Sequence, residues 1–383
     1  MQGFRFDSVR LPPDAEEARR HTRDFLAGEI AAGTFVPRRC SWTTYSAEFS
    51  RRAGAAGLIG VTWPKAYGGR ELSDLAKFAI TAELLAAGAP CFAHWIADRQ
   101  SGPQILNHGS DRLKQEILPR IARGDCYFGI GMSEPSSGSD LAAVRTRAER
   151  VDGGWLINGS KIWTSNAHRV HYLIALVRTG EAGESRHEGL TQFVVDLAQP
   201  GVTVRPIHNL AGEHEFNEVF FTDFFVPEDM ILGGEGRGWA MVTSELAYER
   251  SGPDRFMSDY RLLVELIERV GPDPDRHQAA EIGRLVAHLS ALLRMSASIA
   301  ASLGRGERVD VEAALVKEVG TAFERDVPEV ARRLVQTEAD LDDDLDAFSD
   351  ALAHVVLHAP AFTLRGGTQE ILRGVIARGL GLR

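Results

Sequence analysis

The stretch CYFGIGMSEPSSGSDLAAVRTRAE, residues 126–149, is where the chain changes texture. Before it, apolar residues recur at three- and four-residue spacing. After it come short runs of Val, Ile, Phe, Thr and Tyr bounded by Gly, Asn and Pro. The first pattern predicts amphipathic helices and the second predicts strands. At its centre Ser136, Ser137, Gly138 and Ser139 make a compact polar turn rich in backbone N–H groups and hydroxyls. Such a turn can cradle an anion or the polar edge of a planar ring. Taken alone, a Ser-Gly-Ser cluster is more often a solvated turn between domains.

Working outward, DAEEARRHTRDFLAGEIAAG (14–33), LSDLAKFAITAELLAAG (72–88) and DRLKQEILPRIARG (111–124) read as helices. Asp111 is the expected N-cap of the third. GVTWPKAYGGR (60–70) reads as a loop, punctuated by Pro64 and Gly68-Gly69. Beyond residue 149, GWLINGSKIWTS, HYLIALVRT, LTQFVVDL, GVTVRPI and NEVFFTDFFVP carry strand signals spaced for a small antiparallel barrel or sandwich. After Pro227 four helical segments return, as expected of a bundle. The fold expected is α+β in three parts. They are an N-terminal helical domain (1–125), a middle antiparallel β-barrel domain (126–228) and a C-terminal four-helix bundle (229–383).

A net charge of −10 argues against a nucleic-acid partner, which would need a basic patch. No run of apolar residues reads as a membrane span, and the N-terminus lacks the apolar core of a secretory signal. Cys40, Cys91 and Cys126 are scattered, with no pair at metal-ligand spacing, so no metal is expected. Free thiols in a reducing, cytoplasmic compartment are expected.

SEPSSGSD (133–140) resembles the first signature of the acyl-CoA dehydrogenase family, Thr/Ser-Glu-Pro-x-x-Gly-Ser-Asp. NGSKIWTSNAH (158–168) resembles its second, on a middle-domain strand. GLIGVTWPKAYGG (57–69) is similar to its N-terminal loop and GGTQEILRGVIARGLGLR (366–383) to its last helix. The resemblance covers nearly the whole chain, in family order. It implies FAD between barrel and bundle. Ile130, Met132 and Ser133 are then expected along the flavin, and Gly138 and Ser139 at the pyrophosphate and the pantetheine arm. Trp163 is expected against the ring and Ser165 near N5, with Thr368 and Glu370 as further cofactor contacts.

Desaturating a thioester needs a base for the α-proton, an acceptor for the β-hydride and donors polarising the carbonyl. Much of the family carries the base in a Tyr-Glu-Gly-Thr motif before the last helix. Arg365-Gly366-Gly367-Thr368 stands there in this chain. The long-chain and isovaleryl branches carry it instead before an arginine on the first long helix of the C-terminal domain, where this chain has SELAYERSG. The resemblance therefore implies Glu249 as base, with Arg250 and Gly366 at the substrate and the Gly366 N–H as a donor to the thioester. A solvated Glu-Arg pair is the ordinary alternative. Pro253 is expected to kink or end the helix beside Glu249, and Glu249 is expected in an apolar cleft.

Two features depart from the family. ERVGPDPDRHQAAEIGRL (268–285) lacks the Arg-x-x-Phe-Gly that grips a neighbour's FAD. EADLDDDLDAFSDALAHVV (338–356) is acidic where Gln-x-x-Gly-Gly is usual. The partners implied are acyl-CoA, an electron-transfer flavoprotein and either a homotetramer or an α2β2 tetramer with a sibling chain. The alternatives are a flavin monooxygenase or nitroalkane-oxidase-like enzyme, or a non-catalytic subunit. Phe92 and Trp95 are expected near the acyl end, and His94 on a helix surface.

Overall fold

The structure is a computed structural model describing residues 3–37, 43–181, 183–339 and 346–382. Helices α1 (Pro13–Ala31), α2 (Ala47–Ala55), α3 (Asp74–Ala86), α4 (Phe92–Ile96), α5 (Gly102–His108) and α6 (Asp111–Ala122) come first. Strands β1 (Phe128–Gly131), β2 (Arg147–Val151), β3 (Gly154–Lys161), β4 (Tyr172–Arg178), β5 (Leu190–Asp196), β6 (Val202–His208), β7 (His214–Pro227) and β8 (Ile231–Leu232) follow. Helices α7 (Gly238–Ser251), α8 (Tyr260–Val270), α9 (Arg276–Gly304), α10 (Asp310–Val335), α11 (Ala347–Phe362) and α12 (Gln369–Gly379) complete the chain. The expected order of helical, sheet and helical domains is the one observed.

Local chemistry sets the helix starts. Ser46, Ser73 and Ser110 each accept a backbone N–H from three residues on, capping α2, α3 and α6. The cap of α6 is thus Ser110 rather than Asp111, which lies in the first turn facing the positive end of the dipole. The Gly68-Gly69 pair is needed for close approach: a Cβ on Gly69 would run into the Trp63 carbonyl, and Trp63 is buried.

The chain divides into two compact units. One comprises Met1–Tyr45, Leu72–Phe92 and Ala247–Arg383. Within it α8 packs on α10 and α11, and α10 packs on α9, α11 and α12, giving the expected four-helix bundle with α12 added. The sequence reading excluded a membrane span, yet α9 is long and apolar enough by composition to cross a bilayer. The reason is its place in the bundle, where it packs along α10 and α3.

The other unit comprises Ser46–Glu71 and Ala93–Leu246 and holds the sheet, in order β6-β7-β3-β2-β4-β5-β8. Most pairings are antiparallel, but β1 and β2 each pair β4 in parallel. The β2–β3 hairpin lies between β1 and β4 in sequence, supplying the crossover that a parallel pair requires. Central β4 and β5 are buried nearly end to end, so both read as continuous apolar runs.

His94 is buried, not on a helix surface. It is 3% exposed, and its Nδ1 lies 3.1 Å from Ser50 Oγ. Burial lowers its pKa to about 4, so the imidazole is neutral in the fold. Between the unfolded value near 6.5 and about 4, the unfolded chain binds the extra proton. Stability should therefore fall as pH drops through that window, by on the order of 3 kcal/mol from this group. Urea unfolding at pH 7 and pH 4.5 checks this: H94Q should show a shallower decline than the parent, and equal declines would refute it.

Candidate active site

The site begins where α7 stops. Pro253 has no N–H to give the Glu249 carbonyl four residues back, so the helix ends at Ser251, as expected. Gly252 is extended (φ −69°, ψ 158°), and Pro253–Arg255 form a short 3-10 turn. That turn swings Arg255 back under the helix end. Its Nε donates to the Glu249 carbonyl at 2.7 Å and its Nη2 to Glu249 Oε1 at 2.8 Å. Asp254 Oδ2 lies 3.3 Å from the same Nε. The Arg255 side chain is fully buried and that of Glu249 is 14% exposed. Glu249 is therefore shielded from bulk solvent, but the apolar cleft is corrected to an ion pair with a buried guanidinium. The reason is local: the turn that ends the helix puts a cation where aliphatic side chains were expected.

Gly366 and Gly367 have φ of 69° and 102°, a region open to glycine at little cost. A Cβ on Gly366 would lie 3.4 Å from Glu249 Oε1 and 3.4 Å from Arg255 Cζ. One on Gly367 would lie 3.3 Å from Arg250 Nη2. Arg250 is buried, 7% exposed, and its Nε donates to the Gly366 carbonyl at 3.0 Å. Burial lowers its pKa from the usual arginine value. Arg250 and Gly366, more than a hundred residues apart, are thus hydrogen-bonded, with the Glu249 carboxylate beside the space a Cβ on Gly366 would fill.

Beneath them lies a charge cluster that the sequence reading missed. Arg365 Nη2 donates to Glu324 Oε2 and Ser258 Oγ, each at 2.7 Å. Lys317 Nζ donates to the Phe362 carbonyl at 2.7 Å, and burial, with Arg365 and Arg255 nearby, lowers its pKa to about 7. Asp259 is buried, and burial together with Glu324 raises its pKa well above the ordinary range. The available signal was Lys317 and Glu324 seven residues apart, on one face of an otherwise apolar stripe of α10. Thr368 is the half-buried residue preceding α12, and Glu370 is exposed in its first turn. Of the acidic segment 338–356, residues 340–345 lie outside the described residues. Asp346 caps α11 through the Ser349 N–H and pairs with Arg269.

The sheet-bearing unit holds the residues expected at a flavin. Ile130 lies on β1 opposite Ile174 of β4. Met132 packs against the core of Val144, Leu176, Leu190 and Val242. The Ser133 carbonyl accepts from Ile162 N at 2.9 Å, joining the two signatures edge to edge. Glu134 and Lys161, also from the two signatures, form a buried pair at 2.7 Å. Glu134 further accepts from the backbone N–H groups of Arg145 (2.6 Å) and Thr146 (3.0 Å), and Lys161 donates to the Met132 carbonyl at 3.2 Å. Burial pushes Lys161 down to about 8 against the pull of Glu134, leaving it protonated at neutral pH. For Glu134, burial acts to raise the pKa, but Lys161 and the Arg145 N–H hold it below the ordinary value.

Trp163 was expected on a strand, but β3 ends at Lys161. Trp163 follows it in left-handed backbone (φ 59°), edge-on to Phe216 at 5.9 Å and 57% exposed. Ser165 is half-buried on the same turn. Gly138 and Ser139 are exposed, and a Cβ on Gly138 would meet nothing. An exposed indole at Trp163, on the turn that also carries Ser165 and one residue after the Ile162–Ser133 backbone bond, offers an aromatic face with serine hydroxyls in the same segments, which fits a planar ring with polar edges.

Residues 12–125 match the family model "Acyl-CoA dehydrogenase, N-terminal domain" and residues 129–224 match "Acyl-CoA dehydrogenase, middle domain". The chain is 34% identical to acyl-CoA dehydrogenase IpdE1 of Mycobacterium tuberculosis, over 96% of this chain and 98% of that one. Its structure resembles the ChsE4-ChsE5 complex from Mycobacterium tuberculosis (TM-score 0.82, 28% identity, 98% of this chain and 99% of that one). The "Tcur3481-Tcur3483 steroid ACAD" shares the fold at TM-score 0.85 and 24% identity, covering 98% and 99% of the two chains. With the two signatures hydrogen-bonded to each other, both domain models matched and a relative matched along nearly its whole length, the chain belongs to the acyl-CoA dehydrogenase family of oxidoreductases.

Proposed function

We propose that this chain catalyses FAD-dependent α,β-dehydrogenation of an acyl-CoA thioester with Glu249 as the base. The observation that carries the proposal is the Glu249 carboxylate, 3.4 Å from the space a Cβ on Gly366 would fill. The carboxylate takes the α-proton, Arg250 and Gly366 shape the substrate side, and the Gly366 N–H donates to the thioester oxygen. When bound, FAD would supply the acceptor for the β-hydride. Ile130, Met132, Ser133, Trp163 and Ser165 would hold its ring, with Thr368 and Glu370 as further contacts. Gly138 and Ser139 would meet its pyrophosphate and, for Ser139, the pantetheine arm. The division into 1–125, 126–228 and 229–383 is proposed as the working domain plan, and the cytoplasm as the compartment.

An electron-transfer flavoprotein is the proposed electron acceptor. The ChsE4-ChsE5 complex pairs two chains. That pairing, with the missing Arg-x-x-Phe-Gly, supports an α2β2 tetramer with a sibling chain over a homotetramer. The test is expression alone and with candidate siblings, followed by flavin-to-protein ratio and anaerobic titration with a panel of acyl-CoAs. Bleaching of bound flavin with formation of the enoyl-CoA is expected. Flavin that stays oxidised across the panel, or that needs O₂ and yields an oxygenated product, would overturn the assignment.

A further inference from the structure

We propose that Arg255 is the positioning residue for Glu249, holding its carboxylate in the direction from which it takes the α-proton. The proposal rests on Glu249 being the base. A glutamate in the last turn of a helix has mobile side-chain torsions and a main chain prone to fray. Arg255 removes both freedoms at once. Its Nε holds the carbonyl of Glu249 and its Nη2 holds the carboxylate of the same residue, so one planar guanidinium spans main chain and side chain.

The fork is itself fixed. The Arg255 side chain is fully buried, with Asp254 Oδ2 at 3.3 Å. Its backbone is clamped by α10, where a Cβ on Gly320 would lie only 2.6 Å from the Arg255 carbonyl oxygen and 3.0 Å from Phe256 Cβ. The bend at Gly366 also borders both partners, a Cβ there lying 3.4 Å from Glu249 Oε1 and from Arg255 Cζ. The end of α7, the 253–255 turn, α10 and the 366–367 bend thus converge on one ion pair. A positioned base can lose about 10²-fold in rate for an ångström of misplacement, so the fork has kinetic weight without touching substrate. Lysine would keep the charge but lacks the planar fork, which separates orientation from electrostatics.

The experiment uses flavin-loaded enzyme, with any sibling chain that loading requires, as the parent, R255K, R255Q and E249Q. It measures kcat, KM and flavin content. It also follows exchange of the α-proton of a thioester lacking β-hydrogens with solvent deuterium, by NMR, per bound flavin. R255Q should slow exchange and kcat by about 10²-fold with KM within about threefold, and R255K should recover roughly tenfold of that. Parent-like exchange per flavin in both Arg255 variants, while E249Q is inert, would overturn the positioning role and leave the base intact. Normal exchange in E249Q would overturn the base assignment itself. If R255Q does not fold, R255K decides: exchange about tenfold below the parent supports the role, and parent-like exchange refutes it.

Discussion

Glutamine at position 249 is expected to lower turnover of acyl-CoA by about 10²–10⁴-fold while leaving the flavin content of the enzyme unchanged. The amide has the shape of the carboxylate and can still accept from Arg255 Nη2, so the geometry at the end of α7 should persist. What it lacks is a site for the α-proton. Some stability is also lost, because Arg255 is fully buried and would keep Asp254 but lose the charge of Glu249. A lower unfolding midpoint with intact flavin absorbance is therefore expected beside the kinetic loss. Stopped-flow anaerobic reduction gives the result directly. Flavin bleaching in E249Q within tenfold of the parent rate would place the base elsewhere.

Much of this site was legible because its chemistry sits in contiguous segments. The change of period at residue 126 separates helices from strands, and Pro253 announces the end of α7 one turn after Glu249. Gly366 marks the contact with Glu249 by having no side chain. What was not legible depends on backbone direction. Arg255 becomes a partner of Glu249 only because the 3-10 turn reverses it, and no periodicity reveals that reversal. Trp163 reads as a strand aromatic until its left-handed φ shows that the strand has already ended. His94 follows the apolar spacing of its segment, but its polar partner, Ser50, is contributed by another helix. The acidic segment 338–356 read only as a departure from Gln-x-x-Gly-Gly, whereas its Asp346 is committed to a helix cap and to Arg269.

The second large effect is expected at Lys161, which neither signature singles out as a contact. Its ammonium is wholly buried and ties Glu134 to the Met132 carbonyl, so it braces the segment carrying Met132 and Ser133. Methionine there would leave the Glu134 carboxylate, 5% exposed, with the N–H groups of Arg145 and Thr146 as its hydrogen-bond partners among the described residues. Breaking a buried pair from one side costs roughly 3–5 kcal/mol, more than removing both charges together. K161M should therefore lose that much unfolding free energy and a large share of its flavin. The double variant E134Q/K161M should regain part of the stability, since no uncompensated charge remains. A double-mutant cycle in urea, with flavin-to-protein ratios for each variant, measures the coupling. If the two single losses simply add and flavin content never changes, the pair is not what braces the segment at residues 132–133. The brace would then lie in the backbone bond from Ile162 to Ser133, which these substitutions leave untouched.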